Sequence, residues 1–197
     1  QQDQLKIHAG GLTAMEYHGK AHFLQLGKRP RVTLFAEPNT RLPKWYSSTD
    51  WRIALEYYAT NLFEGDALVG LTKKNCGEYD VTCSTPARAM LEVCALVRSS
   101  DDFEHALRLM EKIHDCKIQE VEALLKNCRS VKAKRLFLYL ADHHDLAWLA
   151  ALDDTQYTLG SGPRQIVTEG DYDPHFRITV PKFMQYENMN NPRNVPY

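Results

Sequence analysis

Apolar and polar positions alternate through the first 83 residues and then recur at a spacing near four, which predicts a β-rich first part and an α-rich second part. The opening GGLTAMEY, residues 10–17, reads as a glycine-led short helix. Strands AHFLQLG and RVTLFAE follow, joined as a hairpin by the basic turn Lys28, Arg29, Pro30, Arg31. After the turn formers of residues 38–43, Trp45, Tyr46 and Trp51 lead into RIALEYYATNLF, whose aromatic, mixed pattern fits a strand better than a helix. LVGLTKK and EYDVTCS alternate around Asn75, Cys76 and Gly77 and predict a second hairpin.

The period changes at Ser84, Thr85 and Pro86, where a hydroxyl residue and a proline precede ARAMLEVCALV and mark a helix start. Three more helices are expected: DFEHALRLMEKI behind Asp101 and Asp102, KIQEVEALLKNC from Lys117, and one capped by Ser130. A short helix over residues 146–152 comes next. Strands return in RQIVTEG and FRITVPKF, ahead of the polar, proline-containing tail NMNNPRNVPY. The predicted fold class is α+β: a mixed or antiparallel sheet from N-terminal hairpins plus closing C-terminal strands, packed with a middle run of four to five helices. We expect a single domain over residues 1–197, β-rich over 1–83, α-rich over 84–152, with strands and tail over 153–197. The final strands are expected to complete the first sheet.

The helix after Ser130 carries a charge pattern that helix stability does not explain. Its first turns hold Lys132, Lys134 and Arg135, preceded by Arg129, and no acidic residue. A helix N-terminus bears a partial positive charge, so cations there cost a few tenths of a kcal/mol, about 0.3 each or more. On a helical wheel Ala133, Leu136, Phe137, Leu140, Ala141 and His144 share one face. Lys132, Arg135, Tyr139, Asp142 and His143 share the other, with Lys134 at the margin. The ordinary reading of the polar face is a solvated surface; the functional reading is a basic patch for a polyanion or an acidic protein. Arg88, one turn into the preceding STPARA helix, either bridges Glu92 at i+4 or extends that patch. Lys28, Arg29 and Arg31 are weaker candidates for the same surface, as is Tyr139.

Composition narrows the remaining chemistry. With 197 residues, 44% hydrophobic and 25% charged, the chain falls in the range of soluble globular proteins. A net charge of −1 argues against a generally nucleic-acid-binding surface, so any anion site must be local. Five cysteines without CxxC spacing argue against a disulfide framework and a zinc ribbon, and favour a reducing cytoplasm. No long apolar run or signal-peptide pattern is found, so no membrane contact is expected. His143 and His144 are adjacent and point about 100° apart on a helix, which suits packing better than metal ligation. LGSGPR lacks the spacing and following helix of a phosphate loop and reads as a tight turn. No catalytic residues, metal or cofactor are assigned, and the aromatic set Trp45, Tyr46, Trp51, Tyr57 and Tyr58 is expected mostly in the core, with an interface as the alternative.

Five stretches in order, HAGGLTAMEYHGKAHFL, STPARAMLEV, CRSVKAKRLFLYLADHHDLAWL, LGSGPRQIV and DPHFRITVPK, resemble the AbiEi family of antitoxins and transcriptional regulators from bacterial type IV toxin–antitoxin systems. The resemblance implies a non-enzymatic, cytoplasmic antitoxin with a nucleotidyltransferase-like toxin as functional partner. It also implies an N-terminal winged helix-turn-helix for operator DNA and autorepression, for which the residues ahead of HAGG leave no room. The chain is thus expected to be the C-terminal antitoxin domain. Arg88, Lys132, Lys134 and Arg135 fall in the matching stretches and are the leading candidates for contacting DNA phosphates or toxin. An enzyme that modifies a toxin or nucleotide by group transfer, and a self-association module, are the alternatives.

Overall fold

The structure is a computed structural model that describes residues 6–21, 29–65 and 68–182. The expected strand AHFLQLG, Lys28 and the C-terminal tail lie outside the described residues.

Five strands form a mixed sheet in the order β3-β2-β1-β5-β4. Its centre is β1 (Ile7–Ala9), antiparallel to β2 (Arg31–Ala36) and parallel to β5 (Asp80–Ser84). On one side β3 (Ala54–Ala59) runs parallel to β2, with Phe35 opposite Tyr58. On the other, β4 (Leu71–Asn75) and β5 make the predicted hairpin, whose turn uses Gly77 at φ +94° and an Asn75 side chain that accepts the Gly77 N–H. Helix α1 (Gly11–Tyr17) begins directly after β1, and Gly11 at φ +50° makes the sharp entry. The approach to β3 holds a five-residue helix, α2 (Lys44–Ser48), a stretch to which the sequence pattern assigned no element.

The helical layer follows the predicted order. Pro86 at the first position opens α3 (Pro86–Leu96); its missing N–H would have been unpaired there in any case. A capping box between Ser99 and Asp102 opens α4 (Ser100–Met110), and α5 (Ile118–Asn127) follows a short 3-10 turn. The Ser130 hydroxyl accepts the Ala133 N–H at 3.1 Å and caps α6 (Val131–His143), as its sequence position predicts. Helix α3 is the pivot: it touches α1 beside the sheet and α4, α5 and α6 in the layer beyond. In place of the short helix over 146–152 there is a 3-10 turn, Leu149–Ala151, beside Trp148, whose indole N–H donates to the Ile113 carbonyl.

The closing strands do not join the first sheet. They form a second one, order β6-β8-β7, from Arg164–Gln165 (β6), Asp171–Asp173 (β7) and Ile178–Val180 (β8). This small sheet packs on α6, with Ile178 and Val180 buried. The reason lies in α6, which is buried on both sides: every residue from Ala133 to Ala141 is enclosed. The helical layer covers one side and β6 and β8 lie against the helix as well, so the last strands have a face of their own to cover.

Candidate functional site

The cations singled out in the sequence are mostly inside the protein. Arg135 is 2% exposed. Its Nε donates to the Leu159 carbonyl at 2.9 Å, its Nη1 to those of Gly162 (2.6 Å) and Arg177 (3.1 Å), and its Nη2 to that of Gly160 (3.0 Å). Gly160 and Gly162 sit at φ +62° and +71°, so the LGSGPR turn is a cradle of carbonyls around one guanidinium. A planar fork with five N–H donors matches such a cradle; an ammonium does not. Burial lowers the Arg135 pKa, aided by Arg164 and Arg177 nearby.

Lys134 is 4% exposed, and burial likewise lowers its pKa. Lys132 is half-buried, donates to the Val97 carbonyl at the end of α3, and has its pKa lowered by burial and by Arg98. Tyr139 is enclosed between the rings of Phe103 and Phe176. The expected exposed basic face of α6 is therefore absent, and Arg88, Lys134 and Arg135 cannot reach a macromolecule while the protein stays folded. Among the described candidates only Arg29 and Arg31 are exposed. They pair with Asp50 (3.1 Å) and Glu56 (3.2 Å), contacts worth little at a wet surface.

Arg88 belongs to a buried charge network that the sequence revealed only in part. The i,i+4 contact to Glu92 exists (Nε to Oε1, 3.1 Å), yet both side chains are enclosed. Glu92 also accepts from His8 Nε2 at 2.9 Å, the Gly11 N–H at 2.8 Å and the Ser84 hydroxyl at 2.9 Å. Burial alone would raise the Glu92 pKa; the His8 hydrogen bond, the charges of His8 and Arg88 and the Gly11 N–H together hold it below the ordinary value. Arg88 further donates to the Val69 carbonyl and lies 4.4 Å over the Phe63 ring. One network thus ties β1, α1, β5, α3 and the segment between β3 and β4. A cavity of about 560 Å³ opens beside it, lined in part by His8, Phe35, Leu62, Phe63 and Leu71.

Other groups fill structural roles. His144 Nε2 lies 2.7 Å from the Leu107 carbonyl and the His143 ring stands edge-on to it, the packing role their adjacency suggested. Cys83, Cys94 and Cys128 are buried free thiols, and burial pushes Cys128 up to about 11. Among the described residues no helix is long and apolar enough to cross a membrane.

Trp45 and Trp51 depart from expectation in the other direction. They are 56% and 42% exposed, grouped with Tyr46 on the surface ahead of β3. A run of polar and charged neighbours, RLPKWYSSTDWR, was the available signal that this aromatic set lies outside the core.

The fold and these networks define an α+β protein in which a helical layer is locked to a sheet on either side by buried arginines. Residues 29–181 match the family model described as transcriptional regulator, AbiEi antitoxin, type IV toxin–antitoxin system, and the chain belongs to that family. The match begins after HAGGLTAMEYHGKAHFL and takes in the other resembling stretches, apart from the final residue of the last. That description names antitoxins and transcriptional regulators of type IV toxin–antitoxin systems. The fold is similar to that of the Rv2827c protein from Mycobacterium tuberculosis in its crystal structure, at TM-score 0.59 and 14% identity, over 91% of this chain and 64% of that one. The chain thus spans less than two thirds of that protein's length. No curated protein matches in sequence.

Proposed function

We propose that the chain is the antitoxin domain of a type IV system, that it neutralises a nucleotidyltransferase-like toxin, and that together with a winged helix-turn-helix it takes part in operator binding and autorepression. The family match over residues 29–181 carries this reading. On this reading the protein is cytoplasmic, forms one domain and works by binding and not by catalysis. Arg29 and Arg31 contact phosphates or toxin, because their surface pairs exchange readily for another anion. Lys132 is a marginal contributor, and Arg88, Lys134 and Arg135 support the scaffold.

The experiment is co-expression with the nucleotidyltransferase-like toxin encoded beside this chain. Growth should be restored by the wild-type chain, and Arg29→Glu, Arg31→Glu should weaken restoration or operator repression without loss of folding. Continued growth arrest with folded chain present would refute the antitoxin assignment; full activity of the double variant would refute the contact assignment alone.

A further inference from the structure

The enclosed cations of α6 leave another part of the surface both basic and aromatic. Residues 29–52 carry Arg29, Arg31, Arg41, Lys44 and Arg52 against Glu37 and Asp50, a net of +3 in a chain of net −1. Arg41 and Arg52 are exposed, and among the described residues neither has an ion-pair partner. Within this stretch Trp45, Tyr46 and Trp51 hold one another at centroid distances of 5.4 to 5.9 Å.

These rings are fixed, not loose. The Trp51 indole N–H donates to the Tyr46 carbonyl at 2.8 Å, and the Ser48 and Thr49 hydroxyls donate to the Trp45 carbonyl. Arg52 turns the chain at φ +53°, a conformation few non-glycine residues adopt. The surroundings are polar: Asn39, Ser48, Thr49 and Asp50 are exposed, and Leu42 and Pro43 are half-buried. A protein-binding hot spot sets its aromatics in a continuous apolar area that excludes water. Here flat rings stand among cations and hydroxyls.

We propose that this face binds single-stranded nucleic acid, with unstacked bases lying on Trp45 and Trp51 and phosphates drawn to Arg41, Lys44 and Arg52. Exposed aromatic rings beside cations such as Arg41 and Arg52 are what a single strand needs: every base has a π-face to stack and every linkage a charge to neutralise. A duplex keeps its base faces stacked on each other and has no use for the rings. The activity is therefore distinct from operator recognition by a winged helix, and it stands or falls separately from toxin neutralisation.

The test is fluorescence anisotropy of a labelled oligothymidylate of about 15 nucleotides, within the usual span of such sites, titrated with the chain. Competitors are the same strand annealed to oligoadenylate, and poly-L-glutamate. Binding should weaken with salt, and Trp45→Ala, Trp51→Ala should weaken it by about tenfold or more. Trp45→Phe, Trp51→Phe should retain most of it. Arg41→Glu, Arg52→Glu should weaken it with an unchanged thermal melt. Absence of binding at low salt overturns the proposal, as does an alanine double variant that is folded and binds normally. Duplex or polyglutamate competing as well as the single strand also overturns it, and would assign the face to DNA backbone or to an acidic protein.

Discussion

Glu92 shows at the scale of one residue how the protein uses its buried charge. A carboxylate enclosed to this degree is tolerated because it accepts from His8, Gly11, Ser84 and Arg88 at once. Its pKa in the folded protein is below the ordinary value of 4.5. The folded state therefore binds the Glu92 proton less readily than the unfolded chain does. The resulting stability is fully present above pH 4.5 and is lost as pH falls through the lower, folded value. Glu92→Gln should cost about 3 kcal/mol at pH 7, since it leaves Arg88 buried beside a neutral group. Urea unfolding of both proteins across pH should show that gap narrowing below pH 4.5. A gap that stays constant into acid would mean that Glu92 is not held as a carboxylate. Ser84 and Arg88 were both noted in the sequence, but His8 lies 84 positions from Glu92, and no local pattern connects them.

Elements were legible where a local period defines them, and illegible where their second face depends on distant chain. The hairpin of β4 and β5, the Pro86 start of α3 and the Ser130 cap of α6 follow from nearby residues alone. The polar side of α6 did not. A helical wheel separates apolar from polar positions, but it cannot tell a polar position facing water from one facing carbonyls of residues 159–177. The exposed Trp45 and Trp51 fail in the opposite sense, because aromatic side chains are usually buried and only their polar neighbours argued otherwise. The junction between β1 and α1 gives a test at this scale. A Cβ on Gly10 would come within 2.4 Å of both Glu92 Oε2 and the Phe35 ring, so sheet and α3 close over this position. Gly10→Ala should destabilise by about 2 to 3 kcal/mol. Gly19→Ala, at φ +66° with nothing within 4 Å, should cost about 1 kcal/mol. Equal midpoints for the two in denaturant would show that the close approach at Gly10 is relieved at no cost.

At the scale of the whole molecule, the two sheets are joined through α6, and Arg135 is the joint. Its four carbonyl partners come from the turn before β6 and the residue before β8, so one side chain holds the second sheet to the helical layer. This gives the cations at the start of α6 a reason that helix electrostatics could not, and on the proposed function it directs the search for a toxin- or DNA-contacting surface toward residues 29–52. Urea unfolding of Arg135→Lys, with Arg31→Glu as the exposed control, tests that account most directly. Lysine cannot span four carbonyls, so the variant should lose about 3 kcal/mol, while Arg31→Glu should change stability by less than about 0.5 kcal/mol. An Arg135→Lys protein as stable as wild type but unable to restore growth against the toxin would contradict the account, by making Arg135 a contact residue after all.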